Sequence, residues 1–239
     1  MEDAVPPSEK SKARSAVEAW LNPAQPVVLR VNGVETDWFR DDITCCGMPG
    51  VRAVMLPKTE NVTHLRRVED LVGQRVVILP LIETAQGFLN ALEIARDHAV
   101  ERLVFGSIDF QVDVGIPGDQ EELLYFRSQL VWISRLANLP APVDGVTTAI
   151  DDPVQLRADT VRSRRLGFGG KLCIHPKQIA VVNECFQPAA GEVEWARRVV
   201  EAAAAAQGGA VALDGAMVDR PVVKRAERIL RDSERGAGK

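Results

Sequence analysis

The sequence contains few of the residues that build disulfide frameworks or zinc sites. It has four cysteines and three histidines among 239 residues. Four cysteines are too few for a disulfide framework at this length, and the adjacent Cys45 and Cys46 cannot form an ordinary bridge with each other. No spacing of cysteine and histidine resembles a zinc site. We therefore expect all four cysteines to be reduced structural thiols.

The chain also lacks a long apolar run, a signal peptide and an excess of basic residues. No apolar run approaches the roughly 20 residues of a membrane span, and the first residues show no secretory pattern. The formal net charge is -4 at pH 7 and the pI is about 5.5, which gives no sign of a nucleic-acid-binding surface. These absences predict a cytoplasmic protein whose partners are neither nucleic acid nor membrane.

What the sequence does contain is an alternation of apolar strands and helices. The strand segments are mostly apolar throughout, which is typical of a parallel sheet buried on both faces. The predicted strands cover residues 27–31, 51–57, 75–82, 102–108, 142–148 and 171–174, and the main helices between and around them cover 8–21, 60–71, 84–98, 120–137 and 153–166. This order predicts an α/β fold of the (β/α)8 TIM-barrel type. A doubly wound open sheet is the alternative, although no GxGxxG sequence follows the first strand.

The predicted strands are fewer than the eight of a closed barrel, and a helix with no full strand before it comes first. A helix over 189–206, a short extended piece with a glycine turn and a helix reaching residue 230 follow the last strand. The predicted domains are a partial TIM barrel, residues 1–187, and a C-terminal helical and lid-like extension, residues 188–239.

Polar residues at the carboxyl ends of strands face the binding crevice in such folds. At or near the predicted strands the sequence places Arg30, Lys58, Glu83, Asp109, Asp144 and His175. Glu83 and Asp109 end consecutive strands and should lie about 5 Å apart. Because two close carboxylates repel, a hard divalent cation such as Mg²⁺ would resolve the arrangement. The alternative is that each residue caps the following helix, although glutamate is a poor N-cap.

Arg30 lies inside a β-branched strand and has two interpretations. It could bind a substrate carboxylate or carbonyl oxygen through a fixed guanidinium. It could instead form a buried ion pair with one of the carboxylates. Both could hold in turn, before and after substrate arrives. Lys58 and His175 stay open between structural or loop residues and site contacts.

Six motifs, in order, resemble those of a known family. They are RVN from residue 30, VMLPKTE from 54, LIETAQG from 81, FGSIDF from 105, GFGGKLCIHPKQI from 167 and LDGAMVD from 213. Over nearly its whole length the chain resembles the citrate lyase beta-subunit-like branch of the HpcH/HpaI aldolase superfamily. These proteins are CoA ester lyases similar to malyl-CoA and citryl-CoA lyases.

The resemblance implies a TIM barrel and Mg²⁺-dependent cleavage of a carbon–carbon bond in a 3-hydroxyacyl-CoA such as citryl-CoA or malyl-CoA. The products would be acetyl-CoA, or a homologue, and a 2-oxo acid. Glu83 and Asp109 match the family's metal ligands. Arg30 matches its substrate-binding arginine, and Glu83 is expected to bind substrate as well as metal. Asp219 matches an acidic residue on a C-terminal segment that closes over a neighbouring subunit's site. This implies an oligomer, either a homotrimer or a hexamer.

The chain departs from the family pattern at two places. Ile108 replaces the glutamate of a GAEDL motif, while the metal-ligand aspartate remains. The family opens with a strand, a helix and a second strand ending in DLEDAV, whereas this sequence opens with MEDAV. We therefore expect a barrel that lacks its first strand–helix unit and most of its second strand. Glu2 and Asp3 would match the acidic pair of that motif, but on an untethered terminus.

Three residues are candidates for the base that takes the substrate's hydroxyl proton: Glu2, Asp3 and Asp219. The sequence does not choose between them. Two other functions stay open beside the lyase. One is an acyl-CoA thioesterase or synthase of the same family, in which Asp219 would act. The other is a catalytically inactive, truncated subunit, which the short front of the barrel suggests.

Overall fold

The computed structural model describes residues 1–73, 76–206 and 209–237, with side chains described as far as residue 234. Its contacts divide the chain into two compact units, Met1–Gln178 and Ile179–Lys239. This division falls one helix earlier than the predicted domain boundary between residues 187 and 188. The boundary itself stays a prediction.

Within the described residues, the first unit is built on a parallel sheet of six strands. They lie side by side in chain order as β1 Val27–Arg30, β2 Val51–Leu56, β3 Ile78–Ile82, β4 Val104–Phe105, β5 Val143–Asp144 and β6 Gly170–Lys171. Val54, Leu56, Ile78 and Ile82 are fully buried, as expected for strands covered on both faces. The sheet curls into a half-barrel of the TIM type, which confirms the predicted α/β class.

Several strands are shorter than predicted, most clearly β4. Residues 102–108 were expected to form it, but only Val104–Phe105 pair with the neighbouring strands. Gly106 leaves the strand after donating its N–H to the carbonyl of Ile82, and its own carbonyl accepts from Phe110. A helix therefore starts directly at the edge of the sheet. The predicted start of β3 at Arg75 lies outside the described residues.

Eight α-helices of the first unit lie within the described residues. They are α1 Lys10–Trp20, α2 Phe39–Cys46, α3 Val62–Val72, α4 Ala85–Leu89, α5 Ala91–Ala95, α6 Ser107–Val114, α7 Leu124–Leu136 and α8 Pro153–Leu166. The helix expected over residues 84–98 is interrupted at Asn90, whose side chain donates to the carbonyl of Glu60 at 2.8 Å. Thr84 caps the first half by accepting from the N–H of Gly87. The helix predicted over 153–166 matches α8 at both ends.

A buried ion-pair network joins α7, β5 and the loop before α7. Arg127 is fully buried. Its Nε donates to the carboxylate of Asp144 at 2.9 and 3.2 Å, and its Nη2 donates to Asp119 at 2.8 Å. The hydroxyl of Ser163 also donates to Asp144. Asp144 therefore serves the packing of the first unit rather than its binding edge.

The second unit has its own small core. It contains α9 Ile179–Phe186, α10 Ala190–Ala205, a hairpin of β7 Val211–Leu213 and β8 Ala216–Val218, and α11 Arg220–Ala237. The hairpin turns at Asp214 and Gly215, which both have positive φ values, 53° and 76°, as a type I′ turn requires. The predicted order of a helix, an extended piece, a glycine turn and a second helix is thus observed. Across the described residues, every helix is too short or too polar to cross a membrane.

Candidate active site

Glu83 directly follows β3, at the carboxyl-terminal edge of the sheet. It is only 3% exposed. Its Oε1 accepts the backbone N–H of Lys58 at 2.7 Å. Lys58 follows β2 and has a left-handed backbone conformation with φ 47°, which is uncommon for a residue with a side chain. The turn after β2 therefore aims an amide at one carboxylate oxygen of Glu83.

The other face of the Glu83 side chain lies against Gly106, between β4 and α6. A Cβ atom on Gly106 would stand 2.3 Å from Oε2 of Glu83 and 2.5 Å from its Cβ. Both distances are far below van der Waals contact. Glycine at this position is therefore what leaves room for the Glu83 carboxylate.

The surroundings of Glu83 disfavour its charged form. Burial raises the pKa of Glu83 from 4.5 to about 8; the Lys58 amide opposes this rise, and the negative charges of Asp109 and Glu2 add to it. Burial is the largest cause because a carboxylate loses its hydration there. The charges of two acidic side chains, Asp109 and Glu2, thus act on the Glu83 carboxyl group at this edge of the sheet.

Asp109 is not at the end of a strand, and that prediction is wrong. β4 ends at Phe105, and Asp109 is the third residue of α6. The strand stops early because Gly106 turns the chain directly into the helix. The alternative that each residue caps the following helix is also wrong, because Thr84 is the N-cap of α4 and Gly106 is the N-cap of α6. The negative charge of Asp109 contributes to the raised pKa of Glu83, and a shared metal site for the two residues stays a prediction.

Arg30, the last residue of β1, forms an ion pair with Glu2. Its Nη2 lies 3.2 Å from Oε2 of Glu2, and its side chain is 41% exposed. The ion pair therefore differs from the expected buried pair with Glu83 or Asp109 in both its partner and its exposure. Glu2 is buried, and burial raises its pKa against the opposing effects of the Asp3 backbone and the Arg30 charge. Oε2 of Glu2 has no hydrogen-bond partner among the described residues. The pair is therefore held by charge, and this oxygen keeps unused capacity to accept a hydrogen bond.

The prediction of an untethered terminus is wrong. The Lys10 ammonium donates to the carbonyl oxygens of Met1 at 2.9 Å and Glu2 at 3.0 Å. Asp3, the other acidic residue of the motif, is exposed. The sequence pattern did not reveal the tether because it depends on side-chain hydrogen bonds between segments that are distant along the chain.

The structure gives local roles to the remaining candidates. Asp219 belongs to the second unit, where its Oδ1 accepts the N–H of Val222 at 3.2 Å at the start of α11. The Nδ1 of His175 accepts the N–H of Lys177 at 3.2 Å. The Lys58 side chain is exposed, and its contribution to the site is its backbone amide. Lys58 was an open candidate through its side chain, whereas Gly106 was missed, because the part that each plays beside Glu83 depends on the backbone.

A second group of possible metal ligands lies away from this edge. Glu69, Asp97 and His98 have ligand atoms within 4.8 Å of one another. Arg66 donates to both carboxylates of this group. The guanidinium already supplies the positive charge that a metal ion would bring, so this group is best explained as an ion-pair cluster.

The comparisons with known proteins agree with the resemblance read from the motifs. Residues 1–176 match the HpcH/HpaI aldolase/citrate lyase family. The chain belongs to this family. It is 37% identical to the citrate lyase subunit beta-like protein of Deinococcus radiodurans, over 96% of this chain and 86% of that protein. It is 33% identical to a (3S)-malyl-CoA thioesterase of Cereibacter sphaeroides, over 98% of this chain and 85% of that protein.

A solved structure of similar fold comes from Mycobacterium tuberculosis. The chain superimposes on protein CitE in complex with magnesium, acetoacetate and coenzyme A with a TM-score of 0.86 and 28% identity, over 98% of this chain and 88% of that one. Other solved CitE structures also contain magnesium, in one case with oxaloacetate. Magnesium is thus a cofactor found within the family.

The residues around Glu83 fit such a cation. Magnesium is held by hard oxygen ligands, commonly one or two carboxylates together with water and substrate. Glu83 supplies a buried carboxylate whose position is set by Lys58 and Gly106. The negative charges of Asp109 and Glu2 oppose its ionisation, and a divalent cation would remove that opposition.

Replacing Gly106 with alanine should disable this arrangement. The added methyl group overlaps Oε2 of Glu83, so the carboxylate must move away from its present position. We expect Mg²⁺ affinity, measured by calorimetry, to fall about 10- to 100-fold, the order of loss seen when the surroundings that orient a metal ligand are disturbed. Gly33→Ala is the matched control, because a Cβ there meets nothing within 4 Å. Equal Mg²⁺ affinity for the two variants would contradict the role given to Gly106.

Proposed function

We propose that this protein is a magnesium-dependent CoA ester lyase. Its substrate would be a 3-hydroxyacyl-CoA such as citryl-CoA or malyl-CoA, and its products acetyl-CoA, or a homologue, and a 2-oxo acid. The observation that carries the proposal is the buried Glu83 carboxylate, fixed by Lys58 and surrounded by negative charge. Family membership and the CoA and magnesium in the similar CitE structure support it.

Glu83 and Asp109 are the residues that would hold the metal ion. When bound, magnesium supplies Lewis-acid stabilisation of negative charge on substrate oxygen atoms. Arg30 would bind and orient the acid portion of the substrate through its guanidinium. At 41% exposure its side chain is open to solvent, so a substrate carboxylate can reach it without breaking the fold.

Glu2 is the best placed of the three candidate bases. Its carboxylate lies beside Arg30, and its raised pKa makes it a stronger base than an ordinary glutamate. In the proposed step, Glu2 takes the hydroxyl proton as the hydroxyl-bearing carbon becomes a carbonyl. The carbon–carbon bond breaks, and its electron pair goes to the thioester fragment as an enolate. Protonation of that enolate gives the acyl-CoA product.

The direct test is turnover of citryl-CoA and malyl-CoA with and without Mg²⁺. We expect equal amounts of acetyl-CoA and a 2-oxo acid to form, oxaloacetate from citryl-CoA and glyoxylate from malyl-CoA, and both to disappear when EDTA is added. A protein that binds Mg²⁺ and acetyl-CoA but turns over neither substrate points to another acyl chain. A protein that binds neither supports the inactive-subunit alternative.

Thioester hydrolysis is the second candidate function. The observation that favours it is the 33% identity to (3S)-malyl-CoA thioesterases over 98% of this chain. Such an enzyme would release free CoA and malate from malyl-CoA, which a thiol reagent and chromatography separate from acetyl-CoA and glyoxylate. Loss of CoA release in Asp219→Ala, with lyase activity kept, would assign Asp219 to hydrolysis.

An assembly of three or six chains is part of the same proposal. In it, the second unit of a neighbouring chain would bring Asp219 to the edge of the sheet that carries Glu83. Light scattering coupled to size-exclusion chromatography measures the number of chains. A monomer that retains full activity would remove any role for Asp219 of a neighbouring subunit.

Magnesium affinity should depend on pH in a defined direction. The pKa of Glu83 is about 8 in the metal-free protein, and the metal binds the carboxylate form, so protons compete with Mg²⁺ below that pH. The association constant should rise about tenfold per pH unit between roughly pH 6 and 8 and level off above. Calorimetry in buffers of different ionisation enthalpy should show about one proton released per Mg²⁺ at pH 6.5. An affinity that does not change with pH would contradict this behaviour.

A further inference from the structure

Lys10, the first residue of α1, is a buried cation that forms no ion pair with a carboxylate in the described part of the chain. It is 6% exposed. Its ammonium donates to the carbonyl oxygens of Met1 and Glu2 and, at 2.6 Å, to Oδ1 of Asn32. An ammonium group has three N–H donors, so these three acceptors use them all. Lys10 therefore has no donor left for a ligand, and its function must be structural or positional.

The hydrogen bond to Oδ1 of Asn32 connects Lys10 to the rest of the first unit. The Asn32 side chain and backbone both donate to Oδ2 of Asp42, at 2.5 and 3.0 Å. Oδ1 of Asp42 accepts from Nε of Arg14 at 3.1 Å. Asp42 is completely buried, so this chain of bonds is fixed on α2. The Lys10 ammonium thereby ties the main chain at Glu2 to a rigid part of the sheet and its helices.

The peptide segment that Lys10 holds carries the Glu2 side chain. The carbonyl of Glu2 also accepts the N–H of Val5 at 2.9 Å, which closes a turn over residues 2–5. Oε2 of the same residue lies 3.2 Å from Nη2 of Arg30 and has no hydrogen-bond partner among the described residues, while the backbone N–H of Asp3 acts on the carboxylate as a hydrogen-bond donor. The Glu2 side chain is thus placed by Arg30 and by the main chain of residues 2 and 3, and Lys10 holds that main chain at the Glu2 carbonyl.

We infer that Lys10 is a positioning residue, which holds the Glu2 main chain so that the Glu2 carboxylate stays beside Arg30. This inference rests on the proposed function, in which Glu2 takes the hydroxyl proton. Lys10 itself does not touch the substrate. Without its ammonium, the Met1 carbonyl keeps only the Asn32 side-chain donor at 3.2 Å, and the Glu2 carbonyl keeps only the N–H of Val5 within the turn. The turn over residues 2–5 then loses its bond to α1 and becomes more mobile.

The test compares Lys10→Met with Lys12→Met. Methionine keeps most of the unbranched apolar stem of lysine, one atom shorter, and removes the donors. Lys12 lies on the same helix, is 83% exposed and pairs only with Glu9 among the described residues, so it is a matched control. We expect kcat of Lys10→Met to fall about 10- to 100-fold. KM and the Mg²⁺ dissociation constant should stay within about twofold, because Arg30, Glu83 and Asp109 remain. Lys12→Met should behave as the wild type.

A readout independent of catalysis is the hydrogen exchange of the Val5 amide. It should exchange at least about tenfold faster in Lys10→Met, while amides of the sheet keep their protection. A wild-type kcat in Lys10→Met overturns the inference. A parallel loss of kcat, KM, Mg²⁺ affinity and melting temperature also overturns it, because that pattern means general destabilisation.

The same measurements cover two further cases. If Lys10→Met does not fold, Lys10→Gln takes its place, because glutamine keeps an N–H donor group at the end of a shorter side chain. We again expect kcat to fall while KM stays nearly unchanged. If the wild type has no activity on any acyl-CoA, the proposed function fails while faster Val5 exchange still supports the tether. Faster exchange with unchanged kcat would keep the tether and refute its catalytic purpose.

Discussion

Replacing Glu83 with glutamine should reduce the proposed lyase activity at least about 1,000-fold. The chain would lose a carboxylate proposed to hold magnesium, and a bound metal ion supplies several kcal/mol of transition-state stabilisation as a Lewis acid. The amide is nearly isosteric and its oxygen can still accept the N–H of Lys58, which lies 2.7 Å from Oε1 in the wild type. The fold should therefore survive. We expect saturating Mg²⁺ to raise the melting temperature of the wild type and to leave that of the variant unchanged.

The same substitution should stabilise the metal-free protein at alkaline pH. The pKa of Glu83 is about 8 when folded against an ordinary 4.5. A carboxyl group with a raised folded-state pKa favours folding below its unfolded pKa, and this contribution is lost as pH rises through the folded pKa. Glutamine does not ionise, so it does not lose this contribution. In EDTA, the stability of the variant relative to the wild type should rise between about pH 4.5 and 8 and stay at its highest value at alkaline pH.

Glu93→Gln is the control for both measurements, because Glu93 is an exposed residue of α5 with no role in the proposed site. Activity, melting temperature in EDTA and the response to Mg²⁺ should match the wild type in this control. If Glu83→Gln retained full Mg²⁺-dependent turnover, the metal assignment would be wrong.

Removing the guanidinium of Arg127 should produce the largest loss of stability. Burial alone would lower the pKa of Arg127, but Asp144 and Asp119 reverse this and raise it, so the pair is ionised inside the protein. Arg127→Met would leave Asp144, which is completely buried, without its countercharge. Breaking a buried pair in this way costs about 3–5 kcal/mol. The free energy of unfolding of the first unit should fall by that amount in urea titrations.

Arg52→Met is the matched control, since Arg52 is 63% exposed and pairs with Glu101 at 3.2 Å. An exposed pair of this kind contributes at most about 1 kcal/mol. Combining Arg127→Met with Asp144→Asn should recover part of the lost stability, because the unpaired charge is then removed. Equal losses for Arg127→Met and Arg52→Met would show that the buried network contributes no more than a surface pair.

The sequence predicted the position of Glu83 because one simple rule governs it. A polar residue directly after an apolar run lies at the edge of a parallel sheet, wherever the strand begins. The same rule failed for Asp109, because the backbone turned into α6 at Gly106, three residues earlier than the apolar pattern suggested. Strand ends are decided by backbone hydrogen bonds to neighbouring strands, and the apolar pattern does not show where those bonds stop.

The tether at Glu2 was beyond sequence reasoning for a related reason. Lys10 looks like an ordinary charged residue at the start of an amphipathic helix, and its burial depends on Asn32 and on two carbonyl groups. Arg30 was the intermediate case. The sequence indicated that Arg30 would pair with an acidic side chain, but the partner in the structure is Glu2, while its binding of substrate stays a prediction.

The left-handed turn at Lys58 makes the contact to Glu83 nearly independent of which amino acid stands at residue 58. The group that contacts Glu83 at residue 58 is the peptide N–H, which nineteen of the twenty amino acids possess. Alanine scanning would therefore pass over this position, although proline would remove the donor and β-branched residues would resist the backbone conformation. A functional contact of this kind leaves little trace in the identity of the side chain.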